Sequence, residues 1–136
     1  SARPVGVLLS GGIDSAMLAA LAREFNWSVT GFTVGFGERY PHCEIADAAE
    51  TAEELGIRHE EVIATPDDLR DSLTEIVRSV EEPLGTTSIM PMWHLTRLAK
   101  SRADVVFSGH GNDDLWGGVP AVPDRDAPRA VPAAEG

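Results

Sequence analysis

An α/β fold, with helices on both faces of a mostly parallel sheet in three layers, follows from three features of the 136-residue chain. Short apolar runs alternate with longer segments whose apolar residues recur every three or four positions, as when strands are joined by helices. The first run, Val5 to Leu9, is apolar without alternation, which fits a strand buried on both faces. Glycine-rich polar stretches follow two of the strand runs, at Ser10–Ser15 and Ser108–Gly118. Ligands of parallel sheets bind at such strand ends.

Taken in order, Pro4–Leu9 predicts the first strand. A helix over Ala16–Phe25 follows, with Met17, Leu18, Leu21 and Phe25 at helical spacing. Asn26 and the Ser28 region break that pattern. Val29–Phe36, rich in β-branched and aromatic residues, predicts the second strand, closed by Gly35 and Gly37 and a polar loop through Tyr40, Pro41 and His42. Ile45, Ala48, Ala49, Ala52 and Leu55 form one helical face, and Gly56 stands where a C-terminal cap belongs. Ile57–Ile63 is the third strand. Thr65-Pro66-Asp67-Asp68 reads as a helix start, with Thr65 as cap and Pro66 in the first turn. Leu69, Leu73, Ile76, Val77 and Val80 are expected on its buried face, and Glu81-Glu82-Pro83 ends it. A loop over Leu84–Ser88, a helix over about Pro91–Ser101 and a strand over Asp104–Phe107 complete the pattern. Right-handed crossovers then place both glycine-rich stretches on one crevice. From Val119 onward, Pro120, Pro123, Pro128 and Pro132 build no packed element. One domain over residues 1–118 and an extended or disordered tail over 119–136 are therefore expected.

Composition narrows the function classes. Hydrophobic residues make up 43% and charged ones 24%, ordinary for a soluble globular domain. No apolar run reaches the roughly 20 residues of a membrane span, and no signal-like segment opens the chain, so a cytoplasmic protein is expected. The net charge of −11 argues against general binding to nucleic acid or acidic membranes. The lone Cys43 excludes an intrachain disulfide and a Cys-x-x-Cys site, and reads as incidental.

Chemistry concentrates in the two glycine-rich stretches. In Ser10-Gly11-Gly12-Ile13-Asp14-Ser15, the paired glycines let the backbone turn tightly and approach a ligand. The following helix offers N–H groups and the positive end of its dipole to a phosphate. Ser10 and Ser15 add hydroxyls, and Asp14 supplies a hard oxygen suited to Mg²⁺. A Walker-type loop is absent, because no Gly-Lys-Ser/Thr occurs. In the second stretch, Gly109, Gly111, Gly117 and Gly118 make the backbone pliable, while Asp113 and Asp114 bring carboxylates toward Asp14. By itself this would be a polar glycine turn; beside the first loop it reads as the other half of a Mg²⁺–triphosphate site.

The first hexamer resembles the PP-loop of the ATP pyrophosphatases. The second stretch resembles the Ser-Gly-Glu-Gly-x-Asp-Glu-x-x-x-Gly loop of asparagine synthetases and β-lactam synthetases. Phe32–Phe36, Leu55–Glu60, Glu82-Pro83 and Ser88–Met92 extend the resemblance from about Val5 to Gly118. It implies a shortened synthetase domain of the asparagine synthetase type, with ATP and Mg²⁺ as cofactors. Leu8, Val34, Met92 and Gly109 would line the adenosine pocket, although the first three serve equally well as core. Ser10, Gly11, Gly12, Asp14 and Ser15 would hold the pyrophosphate, and Asp14 and Asp113 the metal. The implied reaction activates a carboxylate as an acyl-adenylate with release of pyrophosphate, and an amine or ammonia then forms an amide.

Three departures accompany the resemblance. His110 stands where the family loop carries a glutamate, and reads either as a catalytic base or as a structural hydrogen-bonding residue. No glutaminase segment with a catalytic cysteine precedes the strand, so ammonia from glutamine would need another subunit. The only lysine, Lys100, precedes the second loop, whereas the family places its pyrophosphate-stabilising lysine after it. Arg125 or Arg129 substitutes, a partner supplies the group, or turnover is lost; a fragment of a longer protein is a further reading. The alternative is thus a non-catalytic nucleotide-binding or partner-binding module. Either way, a homo-oligomer or a complex with another subunit is expected.

Overall fold

The computed structural model describes residues 4–25, 28–37, 40, 43–83 and 85–111. Eight elements follow one another: β1 (Pro4–Leu8), α1 (Ile13–Glu24), β2 (Ser28–Gly35), α2 (Ile45–Leu55), β3 (Arg58–Ile63), α3 (Pro66–Val80), α4 (Ile89–Lys100) and β4 (Val105–Ser108). The strands form a parallel sheet in the order β3-β2-β1-β4. The chain winds outward from β1 to β3, then returns across the sheet through α3 and α4 to lay β4 on the other side of β1. The strand order reverses between β1 and β4, and a crevice opens at their carboxyl ends.

The three expected layers are present. Val7, Leu9 and Val29 of the sheet side pack with Ala19 and Ala22 of α1 and Ala48 and Ala52 of α2. On the opposite face Phe32 packs with Leu95 and Ala99 of α4. α3 packs on α4 as an outer helix. Ser72 Oγ lies 3.0 Å from His94 Nε2, and Arg97 pairs with Glu75 at 3.1 Å across that contact.

Local signals are realised at both helix ends that carried them. Gly56 caps α2 with φ 61° and ψ 37°, the left-handed geometry that glycine adopts without Cβ strain. Thr65 and Asp68 form a reciprocal capping box at α3, with Pro66 in the first turn. α4 starts at Ile89, two residues before the expected start at Pro91, because a proline in the first turn lacks an N–H that would be unpaired anyway.

Two helices differ from the sequence reading. α1 begins at Ile13, so Asp14 and Ser15 belong to its first turn. Its buried residues are Ser15, Ala19 and Ala22, while Met17 and Leu21 are 57% and 46% exposed. Small side chains allow the helix to lie close to the sheet, which turns the larger ones outward. In α3 only Ile76 is fully buried, and Leu73 and Val77 are exposed, because one neighbouring helix covers less surface than a sheet. Asn26, the loop residues Pro41 and His42, Asp113, Asp114 and the tail from Val119 lie outside the described residues.

The Phe32 ring lies against Gly6 of β1, where an added Cβ would sit 2.8 Å from Phe32 Cε2. Both residues are buried in the middle of the sheet. Gly6→Ala is expected to destabilise the chain by about 1–3 kcal/mol through overpacking. Urea denaturation measures this, and an unchanged midpoint would show that the ring yields freely.

Candidate functional site

β1 and β4 pair in parallel with Leu8 opposite Ser108, so the two glycine-rich stretches leave the sheet side by side. Their approach is close. A Cβ on Gly109 would lie 3.2 Å from both Asp14 Cβ and Ser15 N, so a side chain there would press on the first turn of α1. A cavity of about 310 Å³ opens at this junction.

Its walls divide by chemistry. Leu8, Val34 and Met92, joined by Leu95, form an apolar wall continuous with the core between the sheet and α4. The two readings of Leu8, Val34 and Met92, core and pocket, are therefore compatible. Ser10, Gly12, Asp14 and Ser15 line the polar side from the first loop, and Gly109 and His110 from the second. Gly11 points elsewhere: a Cβ there would meet Asp47 of α2 at 3.0 Å, so this glycine permits close packing of loop and helix. Asp113 lies outside the described residues.

The loop is closed by its own serines. Ser15 Oγ accepts from Ser10 N–H at 3.1 Å and lies 3.0 Å from Gly12 O, to which it donates. Ser10 Oγ accepts from Gly12 N–H at 3.2 Å. Ser15 is buried at 4% exposure, so its hydroxyl fixes the turn from inside. No side chain caps α1 at Gly12, which leaves the positive end of the helix facing the cavity beside Asp14. His110 is exposed, and its N–H donates to Ser108 Oγ at 3.2 Å.

Sequence reasoning missed Leu9, Thr33, Glu44, Leu95 and Ser108, which also line the cavity. Ser108 had a signal, as the first residue of the second stretch. Thr33 had none, because its role depends on strand register. Its hydroxyl donates to Leu9 O at 2.8 Å and lies 2.8 Å from His59 Nε2. A carbonyl only accepts, so the single Thr33 proton goes to Leu9 and His59 must donate through Nε2.

Burial pushes His59 below its ordinary value, opposed by the carboxylate of Glu61. The unfolded chain then binds more protons than the folded one as pH falls past the ordinary histidine value of 6.5. Stability is fully present above that pH and declines below it. The thermal midpoint should drop more steeply with acidification in the parent chain than in His59→Gln. Parallel curves would show that His59 carries no such linkage.

Comparisons with known proteins bear on the family and the fold. The Asn_synthase family model, asparagine synthase, matches residues 1–134. Asparagine synthetase 1 (glutamine-hydrolyzing) of Bacillus subtilis is 38% identical over 115 residues, 85% of this chain and 18% of that protein. The chain thus spans less than a quarter of the length of the curated relatives it matches. Among solved structures, the NH3-dependent NAD synthetase of Campylobacter jejuni superposes with a TM-score of 0.55 at 19% identity, over 87% of this chain and 52% of that one. The NMN synthetase of Francisella tularensis gives 0.52 at 24% identity, over 77% and 44%. These two share the fold. By the family match over nearly its whole length, the chain belongs to the asparagine synthase family.

Proposed function

We propose that the chain forms the nucleotide-binding part of an ATP-dependent, amide-forming synthetase acting in the cytoplasm. The observation that carries this reading is the close convergence of the two strand-end loops around a cavity with one apolar and one polar wall. The apolar wall of Leu8, Val34 and Met92 suits an adenosine. The loop of Ser10, Gly11 and Gly12 and the first turn of α1, with Asp14 and Ser15, suit the phosphates, and Gly109 lets the second loop close over them. No helix among the described residues is long and apolar enough to cross a membrane.

In this reading a substrate carboxylate attacks the α-phosphorus of ATP, the bond to the β-phosphate oxygen breaks, and pyrophosphate leaves. An amine or ammonia then attacks the acyl-adenylate carbonyl, and AMP departs as the amide forms. The chain's contribution is to align the phosphates and to meet growing negative charge with fixed N–H dipoles. His110, an exposed residue of the cavity lining, would take a proton from the incoming nucleophile in this reading. Asp14 lines the cavity, and because Mg²⁺ is held by one or two carboxylates with phosphate oxygens, Asp14 would supply one of them. Asp113 would be the second carboxylate. Bound there, the ion would neutralise charge on the departing pyrophosphate.

Incubation with ATP, Mg²⁺ and candidate acids, with and without co-purifying proteins, should release pyrophosphate. Asp14→Ala and Asp113→Ala should abolish that release. Continued absence of pyrophosphate in every combination would overturn the enzymatic reading.

A second reading rests on one specific observation: among the described residues, no lysine or arginine lines the cavity. A module that binds Mg-ATP without turnover needs no such cation. Calorimetry would then show Mg-ATP binding under all partner combinations while no pyrophosphate forms. The two readings share the expectation that the chain works as an oligomer or with another subunit, which sedimentation tests.

A further inference from the structure

The ladder between β1 and β2 ends at the loop. Leu8 is the last paired residue of β1, and Leu9 still donates its N–H to Phe32 O at 2.8 Å. The Leu9 carbonyl is held by a side chain: Thr33 Oγ1 donates to it at 2.8 Å, and His59 Nε2 lies 2.8 Å behind that hydroxyl. Thr33 is 2% exposed, so this bond is largely shielded from water. The Leu9 carbonyl and the Ser10 N–H belong to one rigid peptide plane. Whatever fixes the carbonyl therefore fixes the direction of the Ser10 N–H, which donates to Ser15 Oγ and starts the loop. Three strands meet in this chain of donors, with β3 acting on the loop although it does not touch β1 in the sheet order.

We propose that Thr33 and His59 are positioning residues for the phosphate-binding loop, the His59–Thr33–Leu9 relay setting the plane from which the loop departs. The proposal rests on the nucleotide reading of the cavity. It assigns function to two polar residues that would otherwise count as sheet packing. Burial of His59 favours the neutral ring, which still carries the required Nε2 proton. Direct contact with the nucleotide is not required of His59.

The test separates phosphate alignment from general integrity by comparing ATP with adenosine. Affinities of the parent chain, Thr33→Val, Thr33→Ser, His59→Leu and His59→Gln are measured calorimetrically, ATP in the presence of Mg²⁺. Thr33→Val should weaken ATP by about tenfold, the equivalent of one lost hydrogen bond, and leave adenosine unchanged. His59→Leu should weaken ATP selectively but less, because Thr33 still reaches Leu9. Thr33→Ser and His59→Gln keep the donors and should bind ATP as the parent does. Unchanged ATP affinity in both Thr33→Val and His59→Leu, or equal losses for ATP and adenosine, overturns the proposal while leaving the nucleotide reading intact. If Thr33→Val fails to fold, the His59→Leu and His59→Gln pair decides by the same criterion. A parent chain that binds neither ATP nor adenosine overturns the nucleotide reading and this proposal with it.

Discussion

The parallel pairing of β1 with β4 is the constraint on which the rest of the molecule depends. Those strands are about a hundred residues apart in sequence, yet Leu8 lies beside Ser108. That register makes one crevice from two loops. A parallel neighbour requires a long crossover, and the chain provides it by travelling out to β3 and back through two helices. The glycine at 109 then converts proximity into contact, since a Cβ there would sit 3.2 Å from Asp14 Cβ and Ser15 N and push them slightly apart.

The cavity is built by interrupting the core rather than by adding to it. On the α4 side the same residues that pack around Phe32 and Leu95 continue to the sheet end and become a wall. Across the sheet, alanines on α1 and α2 keep those helices close. The close approach brings the loop against Asp47 on one side and the strand tips on the other. Packing and site geometry are thus one property of this chain, and a change in helix-to-sheet distance would be felt at the loop.

Much of this was legible in the residues. Gly56, Thr65 with Asp68, and the two glycine-rich stretches announce local geometry through backbone sterics and capping chemistry, which act within a few positions of sequence. Apolar spacing located the strands and helices to within a few residues. It failed where size was taken for burial. Met17 and Leu21 stand outward because Ala19 and Ala22 let α1 approach the sheet, and Leu73 and Val77 are exposed because α3 rests on one helix. The relay from His59 through Thr33 to Leu9 was invisible, since it requires knowing which residues of three strands face the same side. Nor did Glu44, in the turn before α2, carry a motif that would have drawn it into the cavity wall.

Among the described residues β4 pairs in the sheet with β1 alone, with Phe107 packed toward α1 on one face, and its Val105 and Val106 stand 44% and 38% in solvent. A strand held on one side opens at lower free energy than one clasped between two others. Peeling of this seam would carry Gly109 and His110 away from Asp14 while the β1–β2–β3 platform and its helices stayed folded. The molecule would thus lose half its crevice in a partial, reversible fluctuation well short of global denaturation, and whatever clamps that seam from outside also governs how often the crevice exists.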